Sequence, residues 1–200
     1  MKHLIIIFTF LLAANFSFAQ KVVINYDESK VPVFTPPDPL IFTNGQKTYE
    51  ALLLLVLPNW NKEKVPVFVS YNYRGNHSTC FEPDVEYSPL FSVLTPSNNP
   101  DWVRGCQASR WCYDKILDRG YGIATMFYQD IYPDTPGKEE LGIVSLFPDF
   151  KPGRKAPDEW QAIGAWAWGS SRIADYLETQ KRVDRSAQSI YCQRSRRPMG

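Results

Sequence analysis

The sequence has almost no excess of either charge, because 22 Lys and Arg residues stand against 21 Asp and Glu residues. Removal of an N-terminal signal that contains Lys2 would leave the two signs balanced. A neutral chain gives no electrostatic support for nucleic acid or an anionic membrane as a partner. The cysteines Cys80, Cys106, Cys112 and Cys192 lack zinc-ligand spacing, but in an exported chain their even number permits up to two disulfides in three connectivities.

Long apolar runs are also scarce. The chain begins with a basic Lys2, an apolar run over Leu4–Ala14 and small residues up to Ala19, which is typical of a cleaved secretory signal. A signal anchor is the alternative, but no later stretch approaches the roughly 20 apolar residues that a spanning helix needs. We therefore expect a signal peptide over 1–19, one domain over 20–200, a secreted or periplasmic location and no membrane contact after cleavage.

The middle of the chain predicts a sheet. The Pro-rich segment Lys21–Lys47 is expected to lie extended over the surface instead of forming core. Apolar runs over Thr48–Leu57 (TYEALLLLVL) and Val65–Tyr73 (VPVFVSYNY) predict two strands. Tyr121–Tyr128 predicts a buried strand, and Ser189–Cys192 predicts a short last one.

Two helices are predicted between these strands. The first runs from about Arg110 to Arg119, with Ser109 as its cap and Gly120 as its stop. The second runs from Asp158 to about Gln180, and its sheet-facing side is expected to hold Trp160, Ile163, Ala167, Ala174 and Leu177. Alternating strands and helices predict a largely parallel sheet, with ligands at the carboxyl ends of the strands.

The last strand is followed by a candidate nucleophile, Ser195. In α/β-hydrolases a strained turn after such a strand presents a serine in a Gly-x-Ser-x-Gly pattern. Here Gln193 replaces the first small residue and Pro198 lies three residues after the serine, so a polar residue in a basic tail is the alternative. Ser171, in Gly169-Ser170-Ser171-Arg172, also follows a glycine but lies within the second helix, where we expect a small residue at a helix–sheet contact.

Three further polar residues follow strands. His77 comes after the Val65–Tyr73 strand, in a loop whose backbone N–H groups are candidates for an oxyanion hole. A structural role is favoured for the His77 side chain, because the catalytic histidine of this fold follows the serine. Asp130 and Asp134 follow the next strand and are candidates for an acid–base pair or a cation site, although capping and turn formation around Pro133 are favoured.

Several stretches together resemble one family. These are FTPPDPL, TYEALLLLVLP, YRGNH, GCQASRW, ILDRGYGIATMFYQDIYPD, DEWQAIGAWAWGSSRIADYLET and the following RVD. From about Asn25 to Asp184 the chain resembles the glucuronoyl esterases of carbohydrate esterase family fifteen, which are secreted serine hydrolases. The resemblance implies an α/β-hydrolase three-layer sandwich with a mostly parallel sheet, here as an incomplete N-terminal fragment.

The resemblance also implies a reaction and its residues. The substrate class is the ester that joins 4-O-methyl-glucuronic acid on xylan to a lignin alcohol, and no metal or organic cofactor is implied. The family pattern Gly-x-Ser-Arg-x-Gly-Lys places the nucleophile at Ser195 and an oxyanion-holding arginine at Arg196. Gln193, Pro198 and Met199 depart from the pattern at the two glycines and the lysine.

Other departures concern the extent of the chain. The family has a block resembling Trp-x-x-Arg-Arg-Pro-Glu before the TYEALLLL strand, whereas here Lys47 runs directly into Thr48. The likeness decays abruptly after Asp184, as in a reading-frame slip, and the chain reaches Gly200 without the region that supplies the acid and the catalytic His. The 200 residues are therefore expected to be inactive alone.

Two other functions remain open from the sequence. An esterase that removes acetyl groups from xylan would use the same fold, because the fold does not fix the acyl group. A non-catalytic carbohydrate-binding module would instead expose the rings of Trp160, Trp166 and Trp168.

Overall fold

The computed structural model describes residues 33–34, 38–95, 102–147, 161–186 and 189–190. The strands are β1 (Val33–Phe34), β2 (Asp38–Thr43), β3 (Thr48–Leu57), β4 (Val67–Asn72), β5 (Gly122–Phe127) and β6 (Ser189–Ile190). The helices are α1 (Phe91–Leu94), α2 (Ala108–Trp111), α3 (Tyr113–Leu117), α4 (Tyr128–Ile131) and α5 (Ala162–Thr179). Short 3-10 turns cover Asn76–Ser78, Glu139–Leu141 and Ile143–Leu146.

The strands form one mixed sheet in the order β1-β3-β5-β4-β6, and β2 also pairs with β3. Strand β4 is parallel to both β5 and β6, which confirms the adjoining parallel strands predicted between Val65 and Cys192. The described sheet is mixed and not largely parallel as predicted: β3 is antiparallel to β1, β2 and β5, so the parallel part is confined to β4, β5 and β6.

Strand β3 is buried on both sides because helices cover both faces of the sheet. Leu53 and Leu55 belong to the core cluster that includes the α5 side chains Ile173 and Leu177. The alternate residues of β3 join Tyr113 and Leu117 of α3 on the opposite face. This period of two decides in favour of a strand, although leucine has a high intrinsic helix propensity.

The prediction for the Pro-rich segment is wrong over residues 38–43. These residues form β2, which pairs with β3 along its whole length, and Leu40 and Phe42 are buried in the core. The predicted turn at Asn44-Gly45 is confirmed as the connection of this hairpin, with Gly45 at φ 87°. The short apolar run Leu40-Ile41-Phe42 was the available signal for a strand, and the prolines obscured it.

The helix predicted over Arg110–Arg119 is broken in the structure. It consists of α2 and α3, separated by Cys112 in the left-handed conformation at φ 42°. Ser109 does not cap it, because Gln107 and Cys112 are the N-cap residues and neither makes a side-chain capping bond. The predicted stop is confirmed, since the N–H of Gly120, at φ 80°, donates to the carbonyl of Leu117.

Helix α5 lies within the predicted range, and Asp158 is outside the described residues. Its buried face is Ala165, Gly169, Ser170, Ile173 and Leu177. Of the predicted face, Leu177 is buried and Ala174 is half-buried, Ile163 and Ala167 are exposed, and Trp160 lies outside the described residues. Ile163 is 78% exposed and Ser171 faces solvent, so Ser171 is not at the helix–sheet contact. The buried face therefore combines the small residues Ala165, Gly169 and Ser170 with Ile173 and Leu177. Among the described residues no helix is long and apolar enough to cross a membrane.

The three cysteines in the described ranges are free thiols. They are Cys80, Cys106 and Cys112. Cys192 lies outside the described residues.

Candidate active-site edge of the sheet

The parallel strands β4 and β5 end side by side. Asn72, the last residue of β4, lies opposite Phe127, the last residue of β5. Residues 73–78 and 128–134 therefore leave the sheet at the same edge, which we call the carboxyl edge. In open α/β sheets this is the edge at which ligands bind. The predicted candidates His77 and Asp130 are brought to it.

A buried amide network fixes the loop that follows β4. The Nδ2 of Asn76 donates to the carbonyl of Leu52 at 2.8 Å, which ties the loop to the antiparallel strand β3. The Oδ1 of Asn76 accepts from Nδ2 of Asn72 at 2.6 Å, and that Nδ2 also lies 3.1 Å from Oγ1 of Thr125 in β5. The network links three strands beneath the carboxyl edge. Burial in this low-dielectric setting strengthens satisfied hydrogen bonds and penalises broken ones.

His77 is a structural residue of this loop. Its side chain is fully buried, its Nε2 lies 3.0 Å from the carbonyl oxygen of Trp102, and its ring stacks 3.9 Å from that of Tyr87. Burial lowers the pKa of His77, against the opposing effect of the Trp102 carbonyl. The buried neutral ring holds two loop segments together, in agreement with the structural role favoured from the sequence.

Asp130 and Asp134 lie in different environments. The carboxylate of Asp130 is buried and accepts a short hydrogen bond from the hydroxyl of Ser88, while its carbonyl accepts one from the hydroxyl of Tyr49 at 2.5 Å. Asp134 is exposed. Within the described ranges no group of three or more His, Cys, Asp and Glu side chains could hold a metal ion. Asp130 therefore ties the loop after β5 to the neighbouring segments.

Asp130 should give the protein a distinct pH dependence. Burial raises the pKa of Asp130 from 3.8 to about 7, although the Ser88 hydrogen bond opposes this rise. Between these pH values the folded state binds more protons than the unfolded state, so this carboxyl makes the free energy of unfolding fall as pH rises from 4 to 7. In Asp130→Asn we expect that contribution to vanish. The variant should gain stability relative to wild type with rising pH, by at most about 1.4 kcal/mol per pH unit.

Chemical denaturation of both proteins at pH 5 and 7.5 measures this effect. The comparison with wild type is needed because His77 acts in the opposite sense: its lowered pKa removes stability as pH falls below 6.5. Since both proteins contain His77, its contribution cancels in the difference. An equal stability difference at the two pH values would contradict a titrating Asp130.

Several predicted residues lie elsewhere. Ser195 and Arg196 are outside the described residues. Ser171 lies within α5, and its hydroxyl donates to the carbonyl of Ala167 at 3.3 Å, as expected of a helical serine and not of a nucleophile on a turn. Trp166 and Trp168 are half-buried: Nε1 of Trp166 donates to the Tyr132 carbonyl at 3.2 Å, and Trp168 packs on the core. A binding surface built on their exposed faces is therefore not supported.

Sequence reasoning missed Asn72 and Asn76. The available signal was the pair of amides at the end of a strand and directly after Gly75, where a turn needs internal partners. His77, in the same motif, was a candidate because its side chain is titratable.

The mixed sheet, with helices on both faces and a polar network beneath its carboxyl edge, has the layout of an α/β-hydrolase. No protein-family model matches the chain. A curated protein, carbohydrate esterase MZ0003 from an unknown prokaryotic organism, is 27% identical over 239 residues, covering 84% of this chain and 54% of that protein.

Solved structures extend this similarity. A glucuronoyl esterase from Solibacter usitatus is 32% identical with a TM-score of 0.58, over 79% of this chain and 46% of its own. A promiscuous CE15 esterase from the marine bacterial metagenome is 26% identical with a TM-score of 0.56, over 80% of this chain and 45% of its own. A CE15 glucuronoyl esterase from Teredinibacter turnerae, at 21% identity, has a TM-score of 0.54 over 80% of this chain and 38% of its own, and shows the fold alone.

These similarities confirm the resemblance found in the sequence. The chain has the fold of the carbohydrate esterase family fifteen α/β-hydrolases and is similar to glucuronoyl esterases. It spans about half the length of the curated relative that it matches. The alignment with this relative has 239 positions, which is more than 84% of the 200 residues of this chain. The relative therefore contains segments inside the matched region that this chain lacks.

Proposed function

We propose that this chain is part of an exported serine carboxylic-ester hydrolase that acts on glucuronoxylan. The ester bond cleaved joins 4-O-methyl-glucuronic acid of xylan to a lignin alcohol, and export rests on the signal pattern in residues 1–19. The observation that carries the proposal is the parallel register of Ile190 in β6 with Val69 in β4, five residues before Ser195. A chain that continues in this direction moves toward the carboxyl edge.

In the proposed reaction Ser195 is the nucleophile. Its hydroxyl oxygen bonds to the ester carbonyl carbon, and a base takes the hydroxyl proton and gives it to the departing alcohol oxygen as the ester C–O bond breaks. Arg196 and backbone N–H groups of residues 73–76 hold the oxyanion. Water then hydrolyses the acyl-serine and releases the uronic acid. No cofactor is part of this proposal.

The base of this reaction has to come from outside these 200 residues. The sequence contains two histidines, His3 in the predicted signal peptide and His77. His77 is fully buried and its Nε2 contacts the Trp102 carbonyl, so it does not reach a substrate. A serine without a base is a weak nucleophile at neutral pH. We therefore propose that the 200 residues alone do not turn over substrate.

Assays of the purified chain test this proposal. With benzyl glucuronate we expect no hydrolysis above the uncatalysed rate, and turnover that Ser195→Ala abolishes would contradict the proposed inactivity.

Reading the nucleotides around Asp184 in all frames tests the family assignment of the nucleophile. A continuation with Gly-x-Ser-Arg-x-Gly-Lys, and a product of that continuation that hydrolyses glucuronate esters faster than acetyl esters, is the expected result. A faster reaction with acetylated xylan would overturn the proposed substrate.

A further inference from the structure

A group of three aromatic rings, one exposed and two half-buried, lies at the carboxyl edge. Tyr73 is 51% exposed, and its ring lies 5.2 Å from that of Tyr128 at an angle of 16° and 5.9 Å from that of Trp102. We call these three rings the aromatic platform. Tyr73 follows β4 and Tyr128 follows β5, so the sheet itself brings the two nearly parallel rings together, and they stack on each other.

The buried His77 and the half-buried rings of Phe91 and Trp166 support the platform. The carbonyl of Trp102 contacts Nε2 of His77 at 3.0 Å, and the Trp102 ring lies 5.8 Å from that of Phe91. The Tyr128 ring lies 5.4 Å from that of Trp166 in α5. Rings fixed in this way lose little conformational freedom when a ligand packs on them, which favours binding.

A cation borders the platform. The guanidinium carbon of Arg74 lies 5.6 Å from the centroid of the Trp102 ring. Arginine stacked on an aromatic ring keeps its positive charge. An apolar ring face beside a fixed positive charge is complementary to a sugar ring with an acidic neighbour.

We propose that the aromatic platform binds a pyranose ring of a uronate-substituted polysaccharide, with Tyr73 stacking on the sugar face and Arg74 attracting the uronate. The inference deepens the proposed function, on which it rests for the chemical class of the ligand. It adds a subsite, formed by Tyr73, Trp102, Tyr128 and Arg74, that holds the polysaccharide beside the carboxyl edge where the ester is attacked.

Affinity electrophoresis of the 200-residue chain in gels containing soluble glucuronoxylan tests the subsite. Tyr73→Ala is the test variant and Tyr121→Ala is the matched control. Tyr121 is 38% exposed, its ring lies 5.2 Å from that of Phe68 at an angle of 35°, and it lies before β5, at the opposite end of that strand. We expect retardation of wild type and of Tyr121→Ala. Tyr73→Ala should bind roughly tenfold more weakly, which corresponds to about 1.4 kcal/mol.

Two further comparisons separate the possible outcomes. Retardation in xylan that lacks uronic acid should be weaker than in glucuronoxylan, and Arg74→Leu should abolish this difference. Absence of retardation of wild type, or equal retardation of Tyr73→Ala and Tyr121→Ala, would overturn the inference. If binding depends on Tyr73 but the protein has no role in ester hydrolysis, the subsite is supported and only the proposed function is overturned. Far-UV circular dichroism confirms that both tyrosine variants fold.

Discussion

Replacement of Asn76 by alanine should lower the free energy of unfolding by about 2 to 6 kcal/mol. The substitution leaves two buried groups unsatisfied: the carbonyl of Leu52, which accepts from Asn76 Nδ2 at 2.8 Å, and the N–H of Asn72 Nδ2 that donates to Asn76 Oδ1 at 2.6 Å, while the same Nδ2 keeps its contact with Oγ1 of Thr125. Each buried group left unsatisfied costs about 1 to 3 kcal/mol. Urea denaturation followed by far-UV circular dichroism measures the loss.

Asn59→Ala is the control for this substitution. Asn59 accepts a hydrogen bond from Nζ of Lys62 at 2.7 Å at the protein surface, where water replaces the lost partner. Its removal should change stability by no more than about 0.5 kcal/mol. Asn76→Asp adds a sharper test, because it keeps the acceptor for Asn72 but directs a carboxylate at the Leu52 carbonyl. If Asn76→Ala cost no more than Asn59→Ala, the network would not be fixing the loop.

The amide network also shows why much of this edge could not be predicted from the sequence. Asn76 contacts Leu52, 24 residues away, and Asn72 contacts Thr125, 53 residues away. No local pattern encodes such partners. The partners become visible only when β3, β4 and β5 lie next to each other. The position of the edge was predictable, because it follows from where two apolar strands end.

Strands buried on both faces were the most predictable part of the fold. The apolar runs that form β4 and β5 are short and rich in β-branched and aromatic residues, and both were predicted within two residues of their bounds. Strand β2 was missed because prolines precede it, although Pro39 is tolerated in a strand at the side of the sheet. The prolines predicted an extended surface segment, although Leu40 and Phe42 are apolar.

The face of α5 shows a different limit. Large apolar side chains were expected to mark the contact with the sheet, but Ile163 is exposed and Gly169 is buried. A Cβ atom at Gly169 would lie 2.5 Å from the hydroxyl oxygen of Tyr71, so the glycine leaves room for the Tyr71 side chain, which donates to the carbonyl of Trp166 at 2.8 Å. Hydrophobicity alone does not identify such a contact, because the position requires a small residue and not an apolar one.

Gly75→Ala should destabilise the protein by about 3 kcal/mol or more. Gly75 has φ 84° and ψ 153°, a backbone conformation that costs other residues about 1 to 3 kcal/mol. A Cβ atom there would also lie 2.7 Å from Cε1 of His77, whose fully buried ring is packed on Tyr87. Overpacking of this kind adds about 1 to 3 kcal/mol.

Gly45→Ala separates the two costs of Gly75→Ala. Gly45 has nearly the same φ, 87°, but a Cβ atom there would meet nothing within 4 Å, so its replacement should cost only about 1 to 2 kcal/mol. Thermal unfolding of the two variants gives the difference that the His77 contact contributes. Because His77 also contacts the Trp102 carbonyl, Gly75→Ala should weaken retardation by glucuronoxylan, whereas Gly45→Ala should not. Equal losses of stability in the two variants would mean that the His77 ring yields, and that the loop beneath the aromatic platform is not rigidly held.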